Sequence, residues 1–292
     1  MPEQFVPEDI MLSRAARSFI AATSTESGEH IRPLHRYLGI RLVIEGGLLP
    51  EELSPTPPLK SEYHDGNWYL SFNATAESMK EQIVLGALKS KRIDIVVAKE
   101  GIGPVLAISV KGTSKAFRNL VNRTEEAIGD CANIHIMYPG LVYGFVHFLR
   151  ATDTSDRTLK PNDILLNEDG EVLPSVKDYA RILEGLSGRM LVRNDYSRYE
   201  SVGLALLRSN AAAGQSPLFG QFPGSSSSLS LNAFFQTLYR VYDLRFSYTY
   251  TDPGVKHLAR VMWHEDSAAL VSLRNKRLVK GSIEYYPRVS TP

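Results

Sequence analysis

Two near-continuous apolar runs, Ile93 to Ala98 and Val105 to Lys111, flank a glycine-bearing stretch, Lys99 to Pro104, and no other feature restricts the fold as strongly. Short runs rich in valine and isoleucine read as buried strands, and the turn chemistry between them joins the pair as a β-hairpin. Period-two alternation puts Ala107, Ser109 and Lys111 on one face of the second strand and Leu106, Ile108 and Val110 on the other. Asp94 interrupts the first run, and a carboxylate inside an apolar strand needs a charged partner or a metal. Paired across the hairpin, Asp94 and Lys111 are expected to face one spot.

The flanking segments repeat the oddity. Thr75 to Ser90 is expected to be a helix with Glu77 and Glu81 on the same stripe as Val84 and Leu88, two acids where a core helix would carry leucines. Ser114 to Ile128 is expected to be a second helix, striped by Phe117, Leu120, Val121 and Ile128, with Glu125 bordering that stripe and sharing its edge with Arg118. An aromatic strand, Asn67 to Phe72, precedes these elements, and strands Asn133 to Met137 and Leu141 to Arg150 follow them. The order predicts an α/β protein whose mixed sheet is covered by crossover helices.

Around this core the pattern is plainer. Residues 9–23 and 29–39 read as helices, the second broken by Pro33, and the four prolines between Gly47 and Lys60 read as a surface connection. Helices are expected at Ser175 to Leu186, Ser197 to Leu206 and Leu231 to Tyr242, with a Gly/Ser-rich connection from Ala211 to Ser228, an aromatic strand Phe246 to Tyr250 and a basic tail. The expected organisation is an N-terminal helical segment and linker (1–65), a core (66–150) and a C-terminal region (151–292).

Composition sets the setting. With 43% hydrophobic and 22% charged residues the chain is globular rather than disordered. Its single cysteine, Cys131, excludes an internal disulfide, and no Cys/His spacing suggests structural zinc. The acidic start and the lack of a long apolar window lead us to expect a cytoplasmic protein with no signal peptide and no membrane span. Gly101-Ile102-Gly103 lacks a dinucleotide loop's third glycine, and His30, His35, His135 and His147 form no motif, so they read as ordinary histidines and no organic cofactor is expected. The net charge is only +1, but residues 80–128 hold nine basic against five acidic side chains, a local excess suited to phosphates.

Several carboxylates converging with a lysine at a sheet edge suit metal-assisted phosphodiester cleavage, because Mg²⁺ takes a few carboxylates and keeps waters for nucleophile and substrate. Residues 66–150 resemble the PD-(D/E)xK nucleases, to which most type II restriction endonucleases belong, in their helix, hairpin, helix, strand order. The motif position usually held by an acid is Ser109, so the signature reads Ser109-Val110-Lys111. Restriction enzymes that read a CCGG core use the same Ser-x-Lys and recruit a Glu fourteen positions after the Lys, which here is Glu125. Their base-reading positions correspond to Lys115 and Arg118, while the acid between them is replaced by Phe117, and Asp94 follows Ile93 rather than a proline. The stretch Arg193 to Glu200 also resembles one seen in restriction-endonuclease-like proteins.

That resemblance implies a Mg²⁺-dependent, sequence-specific type II restriction endonuclease acting on double-stranded DNA as a homodimer, with one or two ions. Asp94 and Glu125 would bind metal, with the Val110 carbonyl, Glu81 and Glu77 as further ligands. Lys111 would position the attacking water, Ser109 marks the vacated acid site, and Lys115, Arg118 and Arg123 would contact DNA. The alternatives are a nonspecific repair or defence nuclease, and a catalytically inactive DNA-binding protein of the same fold.

Overall fold

The computed structural model describes residues 5–22, 28–78, 80–113, 120–155, 159–193, 195–208, 216–246, 258–276 and 283–290. Along the chain, α1 (Leu12–Ala21) and α2 (Arg32–Ile44) precede the short strand β1 (Leu53–Ser54). Two small hairpins follow, β2 (Leu59–His64) with β3 (Asn67–Phe72), and β4 (Gln82–Val84) with β5 (Lys91–Ile93). Then come β6 (Ile95–Lys99), β7 (Gly103–Thr113), α3 (Leu120–Met137), β8 (Val142–Ala151), α4 (Pro174–Gly185), β9 (Ser201–Arg208), α5 (Leu231–Phe246) and α6 (Ala268–Asn275). Among the described residues no helix is long and apolar enough to cross a membrane.

The protein is mixed α/β, with a five-stranded sheet in the order β1-β6-β7-β8-β9. The expected hairpin is β6–β7, antiparallel, with Ile95 opposite Ile108 and Lys99 opposite Gly103. β8 runs parallel to β7, and β9 parallel to β8. Those two strands are buried almost throughout, as parallel strands covered on both faces must be. The alternation along β7 holds: Leu106, Ile108 and Val110 join the core under α1, α2, α5 and α6, whereas Ala107 joins the core under α3 and α4. Gly144 lets α5 lie close on β8, since a Cβ there would come 2.7 Å from the Phe234 ring.

Several expectations are corrected. Pro33 does not break its helix but sits in the first turn of α2, where a missing amide proton leaves no bond unmade. Thr75 to Ser90 is not a helix: a 3-10 turn at Ala74–Ala76 leads into the β4–β5 hairpin. Gly86 in its turn rests on the Asn133 side chain of α3, which bonds the backbone of Leu88 and Lys89. Asn133 to Met137 is the last part of α3, not a strand. The expected helix at Ser197 to Leu206 gives way to β9, because an apolar run buried on both faces has no period to separate strand from helix. Phe246 ends α5, and 247–250 lie outside the described residues. The sheet also crosses the expected boundaries, taking β1 from before residue 66 and β9 from after 150.

The segment before β9 carries a buried charge centre. Glu200 Oε1 accepts from Arg189 Nη1 at 2.6 Å and Arg245 Nη2 at 2.5 Å, while Oε2 accepts the Tyr143 amide at 2.6 Å and lies 3.3 Å from His135 Nε2. Burial alone would raise the Glu200 pKa, but His135, Arg245 and the Tyr143 amide outweigh it and hold the group below the usual carboxylate range. The stretch Arg193 to Glu200 therefore ends in a structural clamp tying α3, β8 and α5 together. A carboxylate with a depressed pKa stabilises the fold above its unfolded pKa, and that contribution is lost as pH falls through the folded value. Glu200→Gln should cost about 3–5 kcal/mol in urea unfolding at pH 7 by leaving two buried guanidinium groups uncompensated, and the gap to the wild type should narrow in acid.

Candidate metal centre

β7 is longer than its neighbour: the ladder with β6 reaches Ile95 opposite Ile108, and the chain enters β6 through a bend at Asp94. Beyond that point the Val110 amide has no strand carbonyl on the β6 side, and it donates instead to Asp94 Oδ2 at 2.7 Å. The Ser109 hydroxyl donates to the same oxygen at 3.5 Å. Asp94 is thus fixed by the backbone it would have paired with, and its other oxygen, Oδ1, lies 3.9 Å from His35 Nε2 on α2. Glu81 arrives from the β4–β5 hairpin, where Gln82 pairs with Ile93, so the next pair outward is Glu81 with Asp94.

A ligand atom from each of His35, Glu81 and Asp94 falls within 4.8 Å of the others. His35 is only 5% exposed and its Nε2 has no hydrogen-bond partner. A buried polar atom left without a partner is uncommon and calls for an explanation such as a bound ion. Burial lowers the His35 pKa, against the pull of Asp94, and so favours the neutral imidazole whose lone pair a metal needs. Glu81 is raised, first by burial and then by Asp94, with Arg92 and Arg32 acting the other way. Over His35 and Glu81 opens a cavity of about 710 Å³ whose wall includes Arg32, Lys80 and Arg92. Two carboxylates and an imidazole leave coordination positions for water or substrate, and three cations share the cavity wall.

The expected residues divide. Asp94 and Glu81 meet, though Glu81 does so across a hairpin and not from a helix. Ser109 lies beside Asp94, and Val110 contributes its amide as a donor while its side chain packs in the α1–α2 core. Lys111 does not pair with Asp94; its Nζ lies 3.7 Å from Glu126 on α3. Glu77 is held away from the cluster by Arg36, whose Nε donates to it at 2.5 Å and which also binds Asp9. Glu125 is exposed and outside the cluster. The buried stripe of α3 runs through Ala127, Cys131 and Ile134, and Glu125 lies roughly 160° round the helix from Ala127.

Lys115 and Arg118 lie outside the described residues, and so does the first part of the expected helix that carries them. Arg123 is half-buried and close to an internal histidine: burial first, then the charges of Arg123 and Lys111, push His147 down to about 3. His35 is the residue the sequence reading passed over. Comparison of the chain with protein-family models, with curated proteins and with solved structures finds no match.

A carboxylate whose pKa is raised in the fold opposes folding once ionised, so its relative stability is highest at low pH and is lost as pH rises through the folded value. Glu81→Gln should therefore raise the thermal midpoint of the metal-free protein at pH 7 to 8. That gain should fade as pH falls towards 4, where the wild-type side chain is protonated too. Melting curves across that range check both the sign and its disappearance.

Proposed function

We propose that this chain is a divalent-metal-dependent endonuclease acting on double-stranded DNA, built on a PD-(D/E)xK-like core. The observation that carries the reading is the convergence of His35, Glu81 and Asp94 at the open end of the β6–β7 hairpin, with His35 and Glu81 lining a cavity shared with Arg32, Lys80 and Arg92. The succession β6–β7, α3, β8 supports it as the hairpin, helix, strand part of the order in the resemblance, whose first helix is replaced here by the β4–β5 hairpin. The most specific form of the proposal is a type II restriction endonuclease working as a homodimer, whose two-fold symmetry would match a palindromic site.

In this reading His35, Glu81 and Asp94 hold the ion. When bound, it supplies a water of lowered pKa and a positive centre for the charge that develops on the phosphate, with Mg²⁺ the ion the resemblance implies. Asp94 keeps one oxygen on the Val110 amide and presents the other to the site. Arg32, Lys80 and Arg92 bind the backbone phosphates and draw DNA to the opening. Lys111, on the same strand as Ser109, exchanges its contact with Glu126 for the attacking water or the scissile phosphate.

A second reading, a DNA-binding protein of this fold without activity, is favoured by the outward position of Glu125 and the Lys111–Glu126 ion pair. Purified protein incubated with plasmid and phage DNA in Mg²⁺, Mn²⁺, Ca²⁺ or no metal separates the two. Discrete metal-dependent fragments, slowed about 10²- to 10⁴-fold by Lys111→Ala, are expected. A smear would favour a nonspecific nuclease, and intact DNA with a retained gel shift would establish the inactive binder.

A further inference from the structure

We propose that the ion held by His35, Glu81 and Asp94 is a first-row transition-metal dication, of which Mn²⁺ is the most weakly bound and so the most stringent test case, and not Mg²⁺, with His35 Nε2 as the ligand that makes the choice. This rests on the metal-dependent reading above and specifies the ion that reading takes from resemblance.

The donor set is the first argument. Mg²⁺ is a hard ion that takes oxygen ligands in a near-octahedral shell and gives up its waters reluctantly, and an imidazole nitrogen in its inner shell is a poor exchange. Transition-metal dications accept imidazole and carboxylate together, and their affinity for nitrogen-containing sites exceeds that of Mg²⁺. A site with one nitrogen and two carboxylates therefore discriminates by ligand chemistry, which three carboxylates would not.

Position is the second argument, because a histidine that can swing aside exerts no selectivity. His35 lies in the first half of α2, with Leu34, Tyr37, Leu38 and Gly39 buried around it, and its own ring is almost wholly enclosed. Nε2 is left without a hydrogen-bond partner and stands 3.9 Å from Asp94 Oδ1. Asp94 is pinned in turn by the Val110 amide. Two of the three ligands are thus fixed before any ion arrives, and only Glu81, 3.8 Å from Arg92, is left to adjust. An ion that refuses the nitrogen would have to bind beside a buried imidazole it leaves unsatisfied, at a cost that falls on Mg²⁺ and not on Mn²⁺.

The test measures binding on the full chain without DNA. Loss of the free Mn²⁺ electron-paramagnetic-resonance signal reports binding, and Mg²⁺ competition reports preference. One Mn²⁺ per chain is expected, preferred over Mg²⁺ by roughly 10- to 100-fold, with His35→Gln lowering Mn²⁺ affinity by a similar factor while Mg²⁺ affinity stays nearly unchanged. Circular-dichroism melting checks that His35→Gln folds, and Glu81→Gln, at a less buried position, provides a second variant that should weaken Mn²⁺ binding. Displacement of Mn²⁺ by equal Mg²⁺, or unchanged Mn²⁺ affinity in His35→Gln, overturns the inference. Should DNA then be cut in Mg²⁺ alone, the nuclease reading stands without it, whereas a wild-type chain that binds neither ion removes both.

Discussion

A strand that outruns its partner leaves backbone donors facing nothing, and buried amides do not stay unpaired. β7 continues for several residues past the point where β6 begins, and the Val110 amide is answered by the Asp94 side chain in place of a strand carbonyl. Much of the site's geometry follows from that substitution. The chain must bend at Asp94 to turn its carboxylate onto β7, and the bend separates β5 from β6. It also sets Glu81 opposite Asp94 across the β4–β5 hairpin, whose turn is anchored to α3 through Asn133. Packing of α2 on the same sheet face as Ile95 and Ile108 then brings His35 to the remaining oxygen.

Charge is arranged in two ways within the fold. Buried charges remote from the cavity are matched: Glu200 by Arg189 and Arg245, Arg41 by Glu45 and Asn232, and Lys99 by Glu52 at 2.6 Å. These pairs satisfy desolvated groups and fix how segments distant in sequence meet. At the cavity the matching is looser: Asp94 accepts from the Val110 amide and Glu81 has Arg92 at 3.8 Å, but His35 Nε2 has no hydrogen-bond partner and Glu81 is pushed up by its burial and by Asp94. Unpartnered buried atoms occur elsewhere too, at His135 Nε2 and Arg245 Nε beside Glu200, so it is the gathering of two carboxylates and an imidazole that makes the cavity the candidate site.

The β6–β7 hairpin was legible in the sequence because its two runs are bounded by glycine and proline and alternate cleanly at Ser109 and Lys111. Asp94 was legible because a charge in an apolar strand contradicts its surroundings. Glu81 was found through a helical stripe that does not exist; its i, i+4 spacing from Glu77 coincides with a turn and a strand that carry the two acids to different partners, Arg36 and Asp94. His35 left no comparable trace. α2 is buried nearly all round, so it offers no polar face against which a candidate ligand would stand out. Glu125 was misplaced by phase, since the expected stripe ended at Ile128 whereas α3 runs on to Met137 with Cys131 and Ile134 defining its inner face.

Under the proposed function, Ser109 stands at a vacated acid position, and that gives these observations a common logic. With serine at 109, β7 contributes a weak donor to Asp94 where an acid would have brought a second negative charge against it. In that proposal a substitute ligand has to come from another element. On the α3 flank the nearest acid, Glu126, lies 3.7 Å from Lys111 and 4.0 Å from Lys91, and Asp130 is likewise bound to Lys91. Those carboxylates are neutralised by lysines. On the opposite flank Glu81 and His35 approach the Asp94 oxygen that the Val110 amide does not hold, and Glu81 has Arg92 3.8 Å away. The ligands therefore gather on the α2 side of the open strand end and the lysine is retained on the α3 side. In the proposed function a replacement from α3 would have metal and lysine compete for the same carboxylates, and ligands from α2 and the segment before β4 avoid that competition.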